Sequence, residues 1–459
     1  MARTASKTDL FENYPVPKAV AVLALPNIAA CLVMVLYNLA DTFFVGMLND
    51  ANETSAVTLA APVLLAFNAV NNLFGVGCSS VMSRALGVKD YDTVRKSSAF
   101  GCYCAVISGL LFSLFATVFK GGLLNILGAS SENISQTAGY MFWTVTCGAV
   151  PSILNVVMGS MVRAEGSSVH ASIGTMSGCL LNIILDPLFI LPQFLGMGAA
   201  GAGLATFISN TVACLYFIVF IIVKKEKTFV SIKPTDFRPT KPLVKDVMNV
   251  GIPSAIQNLL NVTGMTVLNN FTAAFGSEAV SAMGISHKTS MIPMYIAMGF
   301  GQGIMPLIGY NFASGNRKRV KKTLDFSLLI DIIFMTAAAA VFCVFSRGII
   351  KMFMKEEAII EYGSKFLVGN SLAQPFLCID FLAVGVFQAC GMGKRSFIFA
   401  VLRKIALEIP ALFILNKLFP LYGLAYAQLV AEFVLAVAAI VLLIRIPKEI
   451  QQKNEPASA

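Results

Sequence analysis

The feature that most constrains this chain is a succession of long apolar stretches, which recur from Ala19 to Ile446. Each is near or above the ~20 residues that a helix needs to cross the hydrocarbon core of a bilayer. Only 13% of the residues are charged, about half the share that a soluble domain carries. Membrane-spanning β-barrels alternate apolar and polar residues, and these stretches do not. The sequence therefore predicts an all-α integral membrane protein.

Twelve apolar segments divide the chain into spans and loops. Several exceed the minimum length, which implies tilt or helical ends that extend beyond the membrane. We predict transmembrane helices near residues 18–48, 55–83, 94–122, 133–162, 168–192, 199–223, 244–274, 278–312, 319–347, 357–388, 395–417 and 421–446. The predicted organisation is an N-terminal tail (1–17), a first lobe (18–223), a linker (224–243), a second lobe (244–446) and a C-terminal tail (447–459).

The loops, assigned alternately to the two sides, divide the lysines and arginines unequally. One side carries only Lys120, Arg347, Lys351, Lys355 and Lys417. The other side carries most of the rest, and we count Arg3, Arg403 and Lys404 there. The positive-inside rule then places both termini in the cytoplasm. We expect a multi-pass protein of the plasma (inner) membrane. Because these cations are scattered over short loops without a recognised binding module, we expect no nucleic-acid partner.

The two halves of the chain resemble each other. After a shift of 226 positions the same residues recur at matching places, and a one-residue adjustment extends the match upstream. The matching sets are Phe74-Gly75 with Phe300-Gly301, Gly77 with Gly303, Val94-Arg95-Lys96 with Val320-Lys321-Lys322, and Leu25-Pro26 with Ile252-Pro253. The repeat predicts two pseudo-symmetric six-helix lobes related by an axis along the membrane normal, with substrate bound between them.

Two acids lie inside predicted spans of the first lobe. Asp41 lies seven residues before the predicted outer end of the first helix, and Asp186 six residues before that of the fifth. At 1.5 Å per residue both lie roughly 10 Å below the outer edge of the membrane. An ionisable side chain at this depth costs ~2.5 to 3.5 kcal/mol and most often marks an ion pathway. We predict that the two acids share one site; the alternative is that each only bonds a neighbouring helix.

Neutral side chains with oxygen atoms accompany these acids. Asn182 precedes Asp186 by four residues and shares its helix face, while Asn155 and Thr206 lie on the fourth and sixth predicted helices. Two carboxylates in a desolvated site raise the proton affinity of one of them, and oxygen ligands also suit a hard cation. The residues therefore fit either ion: we expect H⁺, with Na⁺ bound at Asp41 and Asp186 as the other option, and no cofactor.

Pro26 lies inside the first predicted helix, where its ring and missing N–H weaken or kink the helix. A kink that changes with the protonation of Asp41 would couple the ion to a conformational change. A permanent bend tolerated by packing is the alternative.

Short motifs spread over the whole chain resemble those of the multidrug and toxic-compound extrusion (MATE) family, in particular its DinF-type and bacterial multidrug branches. These motifs are Leu25-Pro26 with Asp41-Thr42, Gly87-Val88-Lys89-Asp90-Tyr91, Arg163-Ala164-Glu165-Gly166, Asn182 with Asp186-Pro187, and Gly309-Tyr310-Asn311-Phe312-Ala313. The resemblance implies a V-shaped, two-lobed antiporter that exports amphipathic, often cationic organic compounds in exchange for a cation. It also implies a cation site in the first lobe at Asp41 and Asp186, with Asn182, Asn155, Thr206 and Pro26 at positions of that site or of its coupling machinery.

The second lobe departs from another branch of the family, which carries an acid in its seventh helix. This chain has Gln257, Asn258 and Asn261 there, whereas Asp380 falls roughly where that branch keeps an acid in the tenth helix. Lys288 is predicted about 15 Å into the membrane by helical rise, either in the cavity or extended toward water. These five residues are the candidate polar residues of the second lobe.

Other function classes fit less well. A flippase or exporter of lipid-linked or polysaccharide intermediates needs several basic residues at membrane depth, and only Lys288 and Lys365 qualify. A channel needs no two-lobe repeat with acids in one lobe. An enzyme needs a nucleophile or metal set, and His170 and His287 join no catalytic constellation. We expect a transporter, active as a monomer in the lipid bilayer on small organic substrates, with the flippase as the alternative.

Overall fold

In a computed structural model, which describes residues 5–454, every regular element of those residues is helical. Side chains are described from Thr8 to Ile450. Arg3 and the end of the predicted C-terminal tail, residues 455–459, lie outside the described residues. Within the predicted N-terminal tail the chain forms a short helix before the first long one begins.

The first half of the chain contains ten α-helices. Their bounds are α1 Ala5–Glu12, α2 Val16–Gly46, α3 Ala51–Asn71, α4 Gly77–Gly87, α5 Tyr91–Val118, α6 Lys120–Ile126, α7 Ile134–Met141, α8 Ala149–Ala164, α9 Ser168–Ile190 and α10 Gly198–Val223. A π-helical segment, Asn72–Val76, joins α3 to α4. A second one, Phe142–Cys147, follows α7, and the chain bends by 50° before α8.

The second half contains eight α-helices after a 3₁₀ turn at Pro234–Asp236. Their bounds are α11 Lys241–Ala273, α12 Ser277–Ala313, α13 Arg317–Val344, α14 Ser346–Lys351, α15 Glu357–Ala389, α16 Gly393–Val401, α17 Ile409–Leu418 and α18 Tyr422–Asn454. A π-helical segment at Leu402–Glu408 joins α16 to α17. Each of the twelve predicted spans coincides with helix.

Within the described residues, nine helices are long and apolar enough to cross a membrane, or ten if the bent pair around Gly148 counts as one span. The count is lower than the twelve predicted. The two predicted spans that fall short are α11, which carries three amide side chains in its middle, and the segment of α16 and α17, which the π-helix divides. The predicted class of an all-α membrane fold is confirmed.

The helices pack into two compact units. Of the described residues, the first unit comprises residues 5–9 together with Ala29–Ala255, and the second comprises Leu10–Ile28 together with residues 256–454. The division therefore falls inside α1, α2 and α11, and in α2 and α11 it follows a proline, Pro26 or Pro253, by two residues. The lobe boundaries drawn from the sequence stay a prediction.

Glycines explain why each unit includes the first part of a long helix. In the first unit, a Cβ atom on Gly77 of α4 would lie 2.7 Å from the carbonyl oxygen of Val247 on α11. In the second unit, a Cβ atom on Gly303 of α12 would lie 2.6 Å from the α-carbon of Ala24 on α2. Only glycine permits these backbones to approach so closely. Gly77 and Gly303 are the pair matched by the 226-residue shift, so the internal repeat is also present in the packing.

Candidate functional site

The first unit buries a carboxylate against an amide. Asp186 on α9 is 0% exposed, and Asn182 lies one turn before it at 2% exposed. With the amide oriented to satisfy both neighbours, its nitrogen donates to Asp186 Oδ1 and Oδ2 at 3.2 and 2.9 Å, and its oxygen accepts from the Thr206 backbone N–H at 3.1 Å. We adopt this orientation because the reverse one points the amide oxygen at a carboxylate. The structure thus brings together three of the predicted residues.

Asp41 on α2 faces the same group. It is half-buried and lies within electrostatic range of Asp186. Two tyrosines complete the surroundings: Tyr37, which lies one turn before Asp41 on α2, and the buried Tyr140 of α7, both within electrostatic range of the two acids. We call these residues the acid site; its members are Tyr37, Asp41, Tyr140, Asn182, Asp186 and Thr206.

Asn155 on α8 belongs to a second polar group, which joins α8 to the turn of α10 that follows Thr206. Its amide nitrogen donates to the Pro151 carbonyl at 2.8 Å and to Asn210 Oδ1 at 3.0 Å. The Asn210 amide in turn donates to Ser152 Oγ at 2.9 Å. Because Asn210 follows Thr206 by four residues, this group lies one helical turn from the acid site on the same face of α10. A role for Asn155 in holding a cation stays a prediction.

A carboxylate from α3 fixes the start of α10, which carries Thr206. Gly198 has a φ of +57°, and Glu53 Oε2 accepts a hydrogen bond from the Ala199 N–H at 2.6 Å. An acid at this end of a helix offsets the positive pole of the helix dipole. A Cβ atom on Gly198 would lie 2.5 Å from Glu53 Oε2, and the positive φ also favours glycine at this position. The contact anchors α10 about two turns before Thr206.

The chemistry available at the acid site follows from its donor atoms. Among the described residues, no group of three or more His, Cys, Asp or Glu side chains is placed to hold a metal ion. The site offers two carboxylates, two phenol hydroxyls and one amide whose oxygen already accepts from Thr206. This donor set suits a single small cation, either a proton shared by the acids or one alkali ion.

Pro26 lies apart from the acid site. It falls within the part of α2 that belongs to the second unit, whereas Asp41 falls within the first. Fifteen residues separate them, or about 22 Å of helix at 1.5 Å per residue. The helix is continuous from Val16 to Gly46, so the predicted weakening at Pro26 does not interrupt it. The predicted coupling role of Pro26 is not tested by this arrangement.

The second unit buries an ion network that includes the predicted residue Asp380. Arg403 Nε donates to Glu432 Oε1 at 2.7 Å, and its Nη1 lies 3.5 Å from Asp380 Oδ2. Arg403, Glu432 and Asp380 are 3%, 0% and 1% exposed, respectively. Because a buried charge without its partner costs several kcal/mol, we interpret Arg403 as the partner that lets both acids lie inside the membrane.

Arg403 and Lys404 correct the charge count made from the sequence. Both were assigned to the cytoplasmic loops, but both lie buried in the π-helical segment Leu402–Glu408. Lys404 Nζ donates to Glu408 Oε2 at 2.6 Å, four residues along the chain. These two cations pair with acids inside the helical part of the unit, so they say nothing about the orientation of the chain. The other loop cations still carry the bias.

The remaining candidates of the second unit are dispersed. Gln257 accepts from the Gln388 amide at 3.3 Å, Asn258 and Asn261 are half-buried, and Lys288 is exposed. None of these contacts joins them to Asp380. Their predicted role as lining residues of a cavity stays a prediction.

The sequence missed several partners of the residues that it singled out. Tyr140 gave no signal because its helix had no recognised polar face. Arg403 was recognisable in principle, since Asp380 and Glu432 each need a cation at membrane depth, but the pairing joins three helices that sequence spacing does not relate.

Comparisons with known proteins find relatives that match most of the chain. The sequence profile of the MatE family matches residues 26–188 and 253–414. Multidrug export protein MepA of Staphylococcus aureus (strain MRSA252) is 34% identical over 435 residues, which cover 94% of each chain. Multidrug export protein MepA of Staphylococcus haemolyticus (strain JCSC1435) is 33% identical over 435 residues, again 94% of each chain. The two matched blocks correspond to the two halves of the internal repeat.

A solved structure confirms the fold. The outward-facing conformation of a multidrug resistance MATE family transporter of the MOP superfamily superposes with a TM-score of 0.91. The match covers 98% of this chain and 99% of that one, at 24% sequence identity. The predicted family and the predicted fold are therefore both confirmed.

Proposed function

The chain belongs to the MatE family, and on this premise we propose that it exports amphipathic, often cationic organic compounds in exchange for a cation bound at the acid site. The relatives named as multidrug export proteins support the export of organic compounds. The observation that carries the exchange is the carboxylate of Asp186, which is fully buried within electrostatic range of Asp41. Among the described residues no salt bridge reaches either acid, and two such acids are costly to bury unless a cation joins them.

We propose H⁺ as the coupling ion. The amide nitrogen of Asn182 donates to both oxygens of Asp186, and its oxygen accepts from the Thr206 N–H, so one neutral ligand beside the two acids is already engaged. An alkali ion needs about six oxygen ligands, as the hard cations Mg²⁺ and Ca²⁺ do. A proton needs only one carboxylate oxygen. The donor set therefore favours the proton, and Na⁺ at Asp41 and Asp186 is the second option.

The transport cycle follows from charge. A proton that enters from outside is shared by the carboxylates of Asp41 and Asp186 and reduces the negative charge of the pair by one. This change in the electrostatic environment of α2 weakens the binding of an organic cation. The two lobes then alternate in access, the proton leaves toward the cytoplasm, and the freed negative charge favours binding of the next organic cation. Reciprocal effects of this kind follow from linkage between two ligands of one protein.

The plasma membrane is the proposed location, with both termini in the cytoplasm. The excess of lysine and arginine in one set of loops supports this orientation, even without Arg403 and Lys404. Export driven by a proton gradient also needs a membrane that maintains such a gradient.

Export from reconstituted vesicles tests the proposed function. Vesicles that contain the wild type, Asp41→Asn or Asp186→Asn are loaded with a fluorescent organic cation, and proton and sodium gradients are imposed separately. We expect export driven by the proton gradient in the wild type, reduced at least about a hundredfold in either variant, because each removes a charge that the exchange requires. Asp92→Asn is the matched control, since this acid is exposed and pairs with Lys96 on the surface.

The outcomes separate the alternatives. Export driven only by sodium would replace the proton by Na⁺ at the same residues. Unchanged, gradient-dependent export in both acid variants would contradict the acid site. No export under either gradient would favour the flippase or exporter of a lipid-linked or polysaccharide intermediate.

A further inference from the structure

We propose that a basic cavity in the second unit, between residues 12–17 and the first turns of α13, binds a phosphate group. The cavity has a volume of about 460 Å³. Its wall contains one acid and three cations, with the remaining lining residues neutral. The charged lining residues are Glu12, Lys318, Arg319 and Lys322.

One wall of this basic cavity is fixed before any ligand binds. Phe11 is 1% exposed and stacks on Tyr310 with ring centroids 5.0 Å apart. The Asn311 amide donates to the Phe11 carbonyl at 3.1 Å, and Arg319 Nη2 donates to the Leu10 carbonyl at 3.2 Å. The end of α1 is thus tied to the end of α12 and to the start of α13. A preformed cavity loses less conformational entropy on binding.

The donor groups of the cavity suit an anion. Lys318, Arg319 and Lys322 lie within the first two turns of α13 and line the same cavity. Arg319 Nε is enclosed and has no hydrogen-bond partner among the described residues. The N-terminus of a helix adds the positive pole of its dipole to these charges. Cations gathered at this end of a helix repel one another and the dipole, and an anion relieves both effects.

The internal repeat provides a comparison for this helix start. In both halves a residue with positive φ, Lys89 or Gly315, precedes the N-cap residue of the long helix that follows. In the first half the cap is Asp90, which accepts from the Thr93 N–H at 3.0 Å. In the second half it is Asn316, which accepts from the Arg319 N–H at 3.1 Å. The turn is therefore the same in the two halves.

The charges at this turn differ. Residues 90–96 contain two acids and two cations, whereas residues 316–322 contain five cations and no acid. The hydrogen bond from the Thr93 side chain lowers the pKa of Asp90, so that helix carries its own anion. The matching helix start in the first half contains acids, so this turn is compatible with acidic residues. The positive-inside bias alone therefore does not explain why all charged residues at the start of α13 are cations. We infer that an external anion takes the place of the missing acids.

A phosphate group fits the donors better than a carboxylate does, because its several oxygens accept from lysines, a guanidinium and helix N–H groups at once. Two sources carry this group: the headgroup of an anionic phospholipid, and free phosphate or a soluble phosphate ester. Basic residues near a membrane surface attract anionic headgroups. The same chemistry serves either source.

Native mass spectrometry of the full chain in a neutral detergent tests the site. The probes are phosphatidylglycerol, phosphatidylcholine and inorganic phosphate. The variant Lys318→Gln/Arg319→Gln/Lys322→Gln is compared with the wild type and with Arg95→Gln/Lys96→Gln, the corresponding helix start of the first half. We expect the triple variant to bind the anionic probe about a hundredfold more weakly, and the control variant to bind it as the wild type does.

The probes identify the source of the phosphate. If the triple variant loses phosphatidylglycerol binding but binds phosphatidylcholine as the wild type does, the ligand is a lipid headgroup. If the triple variant instead loses binding of inorganic phosphate, the ligand is a soluble phosphate. Glu12→Gln removes the only acid of the lining and is expected to tighten binding of the same probe, a change that misfolding cannot mimic. Equal binding of every probe by the triple variant and the wild type would overturn the proposal.

Discussion

At the scale of single residues, the acid site depends on how one amide is used. Asn182 connects Asp186 on α9 with Thr206 on α10, so it both satisfies the carboxylate and joins two helices. A buried carboxylate that loses its hydrogen-bond donor costs about 1 to 3 kcal/mol, and more when it is charged. The amide is thus expected to set which protonation state of Asp186 the protein tolerates.

The substitution Asn182→Ala tests this role. We expect proton-driven export to fall about tenfold or more, because the charged form of Asp186 loses its donor and the cation is no longer released efficiently. Export is measured in vesicles over a range of external pH. Asn210→Ala is the control, since it removes an amide from the adjoining turn of α10 that contacts Asn155 and Ser152 and not an acid. Equal losses in the two variants would show that the effect is one of packing.

The site residues that were identified from the sequence could be recognised from their position within a single helix. Asp41 and Asp186 were found because an acid inside an apolar run is conspicuous whatever the fold, and Asn182 because it lies one turn from an acid. Tyr140 and Arg403 were not identified as partners of acids, since their contacts join helices that are distant in sequence. Spacing along one helix is readable from sequence, whereas proximity between helices is set by packing.

At the scale of elements, the linker between the halves is held against the first unit. Glu165, 1% exposed, accepts from the Phe229 N–H at 2.7 Å and from Thr228 Oγ1 at 2.9 Å. Ser98 Oγ accepts from the Ser231 N–H at 2.9 Å. The sequence predicted a linker at residues 224–243 from its polarity and prolines, but could not predict that its middle is docked by a buried acid at the end of α8.

Limited digestion with trypsin tests this docking. Glu165→Ala removes the acceptor of two hydrogen bonds from the linker, so we expect cleavage after the lysines of residues 224–233 to become at least about tenfold faster, as local opening costs less. Ser167→Ala is the control, because Ser167 donates to Oε1 of Glu165, whereas the linker donates to Oε2. An unchanged cleavage rate in Glu165→Ala would contradict the docking.

The prolines of the long helices also matter at the scale of elements, because they affect the whole helix. Pro26 and Pro253 are matched by the internal repeat, and in both α2 and α11 the chain passes from one unit to the other two residues later. A proline removes one backbone hydrogen bond and weakens the helix at that point. The sequence predicted the weak point in the first helix, but which packed unit each half of the helix joins follows from the close approaches at Gly77 and Gly303.

At the scale of the whole molecule, the fold was largely predictable and the ion networks were not. The apolar stretches predicted every long helix, because a bilayer permits few other solutions. The repeat predicted a chain of two related halves, which the family match at residues 26–188 and 253–414 bears out. The two predicted spans that are less apolar than the rest carry several polar side chains each, which are amides in α11 and Arg403, Lys404 and Glu408 in the segment of α16 and α17.

The two units also differ in their buried charges. In the first unit the acid site holds two acids within electrostatic range of each other, with no described salt bridge to either. In the second unit Arg403 lies between Asp380 and Glu432, and Lys404 pairs with Glu408. A site that must take up and release a cation cannot keep a permanent one, so we assign the exchange to the first unit and a mainly structural role to the second.

The most direct test of this assignment is the release of protons when an organic cation binds. Ethidium, an organic cation, is added to the purified full chain in weakly buffered detergent solution, and the change in pH is recorded for the wild type and for Asp41→Asn/Asp186→Asn. If the two ligands compete for the acid site, linkage requires that binding of one expels the other. We expect about one proton released per ethidium bound by the wild type and none by the double variant. Equal release by both proteins, or ethidium binding by the wild type without release of protons at any pH, would contradict proton exchange at Asp41 and Asp186.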